Sequence, residues 1–131
     1  MKTSPTQELS GVRILVVEDT LLIAELIVDH LQDAGCDVIG PASRVGPALA
    51  LAEREKLDGA LLDINLRGEL CFPIADVLVS RGVPIAFLTG YGDSAVPAAY
   101  KSAPRLTKPF QLKELTDLVR RHFGEASSGS E

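Results

Sequence analysis

The first apolar run of the chain is short, β-branched and nearly continuous, and it reads Val12-Arg13-Ile14-Leu15-Val16-Val17. Two acids, Glu18 and Asp19, follow it directly. A run of this kind is typical of a strand that is covered on both faces of a sheet. From Thr20 onward the apolar residues recur with a helical period. The segment therefore predicts a buried strand that ends in acids and leads into a helix.

The same alternation continues through the rest of the chain. Further strands are predicted at residues 37–42, 58–64, 84–89 and 105–107, with helices after them. Ser43 is expected to cap the second helix, and Gly92 and Pro97 weaken the helical pattern of residues 91–102. The helix faces predicted to point inward are Ile23, Leu26, Ile27, His30, Leu31 and Ala34, then Val45, Ala48, Leu49 and Ala52, and finally Leu112, Leu115, Leu118, Val119 and His122. Strands joined by helices predict a doubly wound α/β fold with a parallel sheet and helices on both faces.

Composition sets the limits of this interpretation. The chain has 131 residues, of which 46% are hydrophobic, and its net charge is −5. This length suits one domain, predicted at residues 11–124, between flexible segments at 1–10 and 125–131. An acidic chain without a long apolar run or a secretion signal is expected to be cytoplasmic, without nucleic-acid or membrane partners. Cys36 and Cys71 lack metal-binding spacing and are expected to be free thiols.

Polar residues gather at the predicted carboxyl ends of the strands, where ligands bind in folds of this class. Glu18 and Asp19 follow the first strand, Asp63 ends the third, Thr89 ends the fourth, and Lys108 follows the fifth. Three carboxylates at one edge repel one another, so a cation is expected there, and oxygen ligands favour Mg²⁺ or Mn²⁺. These groups together are those that phosphoryl transfer requires, with Asp63 as the best candidate nucleophile and an aspartyl phosphate as the product.

Four segments in this order resemble the receiver domain of bacterial two-component response regulators: residues 16–19, 61–66, 89–90 and 106–110, which read VVED, LLDINL, TG and LTKPF. The resemblance extends from about Val12 to Phe123 and implies a flavodoxin-like strand order of 2-1-3-4-5. It implies that Asp63 accepts phosphate from a histidine kinase or a histidine phosphotransfer protein.

The same resemblance assigns roles to the other site residues. Asp19 and Asp63 would bind the metal directly, Glu18 would act largely through metal-bound water, and Asn65 would offer its backbone carbonyl. Thr89 and Lys108 would contact phosphoryl oxygens, with a cis peptide bond after the lysine. The domain would catalyse only its own phosphorylation and dephosphorylation, so it would not be a conventional enzyme.

Two departures from the family pattern affect the expected switch. Arg105 stands where many receivers have an aromatic residue in the fifth strand, and the motif around Thr89 and Tyr91 resembles that of a subgroup called FATGUY receivers, which are often single-domain. Tyr91 is therefore a candidate for the coupling role, and Arg105 and Tyr91 are candidate output residues. The proline common after the phosphoacceptor is absent, since Leu66 is followed by Arg67 and Gly68, and an altered loop is expected there.

The expected function is a single-domain response regulator that changes conformation to control a protein partner. Two alternatives stay open at this point: a phosphate shuttle or sink within a phosphorelay, and a Mg²⁺-dependent small phosphohydrolase with Asp63 as nucleophile. The second is disfavoured because Asn65 stands where such enzymes place a second aspartate. A flavin or nucleotide binder is disfavoured because Glu18 and Asp19 place negative charge where a phosphate loop is needed.

Overall fold

A computed structural model describes residues 9–90 and 96–124. Its main sheet is parallel and has five strands in the order β2-β1-β3-β6-β7. The strands are β1 (Arg13–Val17), β2 (Asp37–Ala42), β3 (Gly59–Asp63), β6 (Ile85–Thr89) and β7 (Arg105–Thr107). The predicted doubly wound class and the 2-1-3-4-5 order are confirmed, because β4 and β5 form a separate hairpin and β6 and β7 are therefore the fourth and fifth strands of the main sheet.

That hairpin follows the third strand directly. β4 (Asn65–Leu66) pairs antiparallel with β5 (Glu69–Leu70) across a turn in which Arg67 and Gly68 both have positive φ, at 56° and 92°. Positive φ at both central residues is the signature of a type I′ turn, whose twist suits a two-residue hairpin. The altered loop that the missing proline predicts is therefore a short hairpin.

Four α-helices of the described part of the chain cover the two faces of the sheet. α1 (Leu21–Asp33) and α4 (Leu112–His122) pack on one face, and α2 (Val45–Arg54) and α3 (Phe72–Ser80) pack on the other. Phe123, just after α4, lies directly over Gly59, where a Cβ atom would be 2.3 Å from the aromatic ring. The bare glycine backbone thus allows the end of α4 to close onto the start of β3.

Several expected helix details are wrong. Leu26 and Leu112 are 49% and 38% exposed rather than inward, because the groove between α1 and the start of α4 stays open to solvent. His122 is exposed at the end of α4. Arg44 occupies the N-cap position of α2 instead of Ser43, and no side chain hydrogen bond caps that helix.

The connection between β6 and β7 also differs from the helix that was expected after the fourth predicted strand. In its described part, residues 96–104, the regular element is a 3-10 helix at Ala98–Tyr100. Pro97 precedes this helix with an extended ψ of 151°, and proline lacks the N–H that an α-helix interior needs. The connection is held mainly by side-chain packing of Val96 and Tyr100 against the core.

The packed body begins before the predicted boundary at residue 11. Leu9 is fully buried, and its N–H donates to the Ala34 carbonyl at 3.0 Å. Both cysteines are buried, and they form no disulfide with each other. Among the described helices, none combines the length and apolar character needed to cross a membrane.

Candidate functional site

Strand register brings the predicted site residues to one edge of the sheet. Val17 pairs with Leu62, Asp63 with Leu88, and Thr89 with Thr107, so the carboxyl ends of β1, β3, β6 and β7 lie level. The residues that end or follow these strands therefore meet, although 90 positions separate Glu18 from Lys108 along the chain.

Three carboxylates form the centre of the site. Oxygen atoms of Glu18, Asp19 and Asp63 all lie within 4.8 Å of one another. Glu18 is 1% exposed and Asp63 is 5% exposed, whereas Asp19 is half-buried. The fold thus brings the predicted acidic cluster together. Because two of the three carboxylates are buried from water, the repulsion between them is costly.

Lys108 lies among these acids. Its Nζ is 2.8 Å from Glu18 Oε1 and 3.2 Å from Asp63 Oδ2. A cis peptide bond joins Lys108 to Pro109, as expected. One lysine offsets one of the three negative charges, so the ionised cluster keeps a net charge that a divalent cation would balance.

Glu18 is only partly satisfied by its neighbours. Its Oε2 accepts the N–H of Thr20 at 3.0 Å, at the start of α1. Its Oε1 faces Lys108 as an ion pair but off the hydrogen-bonding direction, and among the described residues it accepts no hydrogen bond. A buried carboxylate oxygen whose close partner is this one ammonium keeps lone-pair capacity for a cation or its bound water.

The pKa values of Asp63 and Lys108 reflect the close packing of charged groups in the site. Burial, the charge of Glu18 and hydrogen bonds with Glu18 and Asp19 raise the pKa of Asp63 to about 8, against the opposing effect of Lys108. For Lys108, burial lowers the pKa, but Glu18 and Asp63 outweigh it, so the pKa lies above its ordinary value. In the protein without a cation, Asp63 therefore holds a proton near neutral pH while Lys108 is charged.

Thr89 ends β6 beside this cluster. Its Oγ1 has acceptors in Leu106 O and Thr107 Oγ1, both at 3.4 Å, near the upper limit for a hydrogen bond. Its own carbonyl is held more firmly, because it accepts the Lys108 N–H at 2.8 Å. The backbone is thus fixed while the hydroxyl has only weak contacts.

The remaining predicted residues lie farther out. The Asn65 side chain accepts the Gly68 N–H at 2.8 Å, which leaves the backbone carbonyl as the group that the resemblance assigns to the metal. Arg105 is exposed and donates to the Lys101 carbonyl at 3.3 Å. Tyr91 lies outside the described residues, so its expected coupling role stays a prediction.

Two features near the site were missed at the sequence level. Tyr100 donates a hydrogen bond to Asp76 of α3, and no spacing in the sequence indicates this pairing. An apolar groove of about 360 Å³ lies beside Lys108, lined mainly by α1 and residues 109–112. The three exposed leucines of α1, Leu21, Leu22 and Leu26, were the available signal for an open apolar surface.

The fold, with buried acids and a lysine at the carboxyl edge of its sheet, is that of a receiver domain. The sequence matches the response regulator receiver domain family over residues 14–120, and the chain belongs to that family, which serves two-component systems. Among relatives, the response regulator FleR of Pseudomonas aeruginosa is 32% identical over 124 residues, covering 91% of this chain but 26% of FleR. The chain thus spans about a quarter of that relative.

Solved structures agree with this assignment. SdrG from Sphingomonas melonis Fr1 is 37% identical with a TM-score of 0.74, covering 82% of this chain and 92% of SdrG. TrrA from Thermotoga maritima, solved in complex with Mg²⁺ and beryllium fluoride, is 27% identical with a TM-score of 0.73, covering 84% of this chain and 97% of TrrA.

Proposed function

We propose that this chain is a single-domain response regulator in which Asp63 accepts a phosphoryl group from a phosphohistidine donor protein in the cytoplasm. Phosphorylation then changes its conformation to control a protein partner. The observation that carries the proposal is the buried cluster in which Lys108 Nζ lies within 3.2 Å of carboxylates from two different strands. A merely structural salt bridge needs one acid, and the second and third add cost unless a cation uses them.

The donor set fits Mg²⁺. Asp19 and Asp63 would supply carboxylate oxygens and Glu18 its buried Oε1, and the resemblance would add the backbone carbonyl of Asn65. Hard oxygen ligands with room for water are what Mg²⁺ prefers, and TrrA binds Mg²⁺ in a receiver of the same fold. When bound, the cation supplies charge neutralisation for the incoming phosphoryl oxygens.

The protein's own residues then carry the transfer. An Asp63 carboxylate oxygen forms the new bond to phosphorus while the phosphorus–nitrogen bond of the donor histidine breaks, and that electron pair returns to the imidazole, which takes up a proton from water. Lys108 is already within 3.2 Å of Asp63 and can donate to a phosphoryl oxygen. The weakly bonded hydroxyl of Thr89 is free to turn toward another one.

A surface for the donor protein adjoins the site. The groove between α1 and residues 109–112 is lined by Ile23, Leu26 and Phe110 and includes Lys108 in its wall. A donor helix that presents its histidine to Asp63 would bury the exposed side chain of Leu26 there. Leu26→Glu should slow transfer from a histidine protein about 10-fold or more, while phosphorylation by a small-molecule donor stays unchanged.

The test of the function is phosphorylation by acetyl phosphate, followed by gel separation or intact mass. We expect incorporation of one phosphoryl group only with Mg²⁺ present and none in Asp63→Asn. Asp76→Asn, an acid outside the cluster, is the matched control and should be labelled normally. Labelling of Asp63→Asn at the wild-type level would contradict the assignment.

A further inference from the structure

Three aromatic rings on the α2 and α3 side of the sheet join three separate elements. Phe72 begins α3, Phe87 lies in β6, and Tyr100 ends the 3-10 helix of the β6–β7 connection. The rings of Phe72 and Tyr100 are stacked with centroids 5.9 Å apart, and Phe87 meets Tyr100 edge-on at 5.7 Å. Aromatic pairs in these arrangements contribute beyond their buried area, so Tyr100 is the anchor of the connection in this cluster.

The hydroxyl of Tyr100 adds a directional contact. It donates to Asp76 Oδ1 on α3. Burial and Asp76 raise the pKa of Tyr100 to about 12, so the hydroxyl stays protonated as a donor. Among the described residues 96–104, the hydrogen bonds to strands lie after Tyr100: the Arg105 side chain donates to the Lys101 carbonyl, and the Phe87 N–H donates to the Pro104 carbonyl. A three-residue 3-10 helix has little stability of its own, so the Tyr100 contacts set its position.

This anchor lies next to the strand that carries Thr89. Side chains two residues apart in a strand point to the same face, so Phe87 and Thr89 share one side of β6. A movement of the Thr89 side chain would therefore take place next to Phe87, whose ring contacts Tyr100. Residue 105 places no aromatic ring in the core, because it is an exposed arginine whose side chain donates to the Lys101 carbonyl.

We propose that Tyr100 is the positioning residue that couples Thr89 to the β6–β7 connection, and that its bond to Asp76 holds the connection in the unphosphorylated arrangement. This inference rests on the proposed function and assigns its conformational signal to residues 96–104. A contact made in one state only must oppose the other state. Removing the hydroxyl should therefore favour the phosphorylated arrangement.

The experiment measures the apparent affinity for beryllium fluoride with saturating Mg²⁺, and the amide NMR spectrum of residues 96–104. Tyr100→Phe keeps the ring and removes only the hydroxyl. Losing one hydrogen bond to a carboxylate should tighten beryllium fluoride binding about 3-fold to 10-fold, and shift the free spectrum toward the bound one. Asp76→Ala should act alike, whereas Asp76→Asn keeps an acceptor and should stay near the wild type.

A matched control removes a hydroxyl between two helices on the opposite face. Thr116 on α4 bonds to His30 on α1, and Thr116→Val should leave the beryllium fluoride affinity unchanged. Unchanged or weaker affinity in both Tyr100→Phe and Asp76→Ala would overturn the coupling role and leave Tyr100 purely structural. Failure of the wild type to bind beryllium fluoride would overturn the proposed function and this inference together.

Discussion

Charged residues cluster at both ends of the sheet, and the two clusters differ in how they are satisfied. At the amino end, the Arg13 guanidinium pairs with Asp37 at 2.6 Å and Glu55 at 3.1 Å and donates to Lys56 O at 2.7 Å. At the carboxyl end, Lys108 faces acids that are almost fully buried, and one Glu18 oxygen has no hydrogen bond donor.

The difference lies in burial and balance rather than in residue type. The side chains of Arg13 and Asp37 are 31% and 59% exposed, so water completes their solvation and the pair is of little energetic consequence. Water cannot solvate Glu18 and Asp63 in the same way, because both side chains are almost fully buried. Buried negative charge that one ammonium does not balance therefore makes the carboxyl end the candidate functional edge, in line with the proposed function.

The largest expected effect is the loss of function in Lys108→Ala. Removing the ammonium group that lies between Glu18 and Asp63 should lower the rate of phosphorylation by acetyl phosphate about 100-fold or more, because phosphoryl oxygens lose their charged donor. Far-UV circular dichroism should stay native. An unimpaired rate would show that Lys108 has no part in the phosphorylation, and it would contradict the proposed difference between the charged clusters at the two ends of the sheet.

At the amino end, the expected effect is on stability alone. Gly59→Ala would place a methyl group against the Phe123 ring, and the resulting overpacking should cost about 1–3 kcal/mol of unfolding free energy. Gly46→Ala, in α2 with nothing within 4 Å of its Cβ position, is the control and should be neutral or slightly stabilising. Urea denaturation measures both, and a Gly59→Ala protein as stable as the wild type would contradict the packing at this edge.

Replacing an aspartate by asparagine should change the free energy of unfolding in opposite directions at the two edges of the sheet. Because the pKa of Asp63 is raised from 3.8 to about 8, the folded chain holds a proton that the unfolded chain releases, and stability falls as pH rises through that window. In EDTA, Asp63→Asn should therefore be more stable than the wild type, by about 1–3 kcal/mol above pH 8 and less near pH 5.

Asp37→Asn serves as its counterpart at the amino end. Losing one exposed partner of Arg13 should cost about 0–1 kcal/mol, without a gain in stability at high pH. Urea denaturation at several pH values separates the two variants. A destabilised Asp63→Asn protein above pH 8 would show that the acids around Lys108 are compensated in the absence of a cation.

Much of the site was predictable because strand ends are strong local signals. Buried runs that stop at Glu18, Asp63 and Thr89, together with a parallel topology, are sufficient to place these residues on one edge. How the helices and their neighbouring segments pack together could not be predicted from the sequence. Leu26 has the correct helical period for burial, but the neighbouring segment leaves it open to solvent.

The β6–β7 connection shows the same limit more clearly. Pro97 weakens a helix prediction without indicating what replaces it. The contact between Tyr100 and Asp76 spans 24 positions and depends on how the connection packs over α3. Such a contact follows from the assembled core and not from any local pattern.

The most direct test of the central claim is to locate the phosphoryl group itself. After phosphorylation by acetyl phosphate with Mg²⁺, borohydride reduction converts an aspartyl phosphate to homoserine, which peptide mass spectrometry identifies. We expect homoserine at position 63 alone and none when Mg²⁺ is chelated by EDTA. Modification at another residue, or equal modification in EDTA, would contradict a cation-dependent phosphorylation of Asp63.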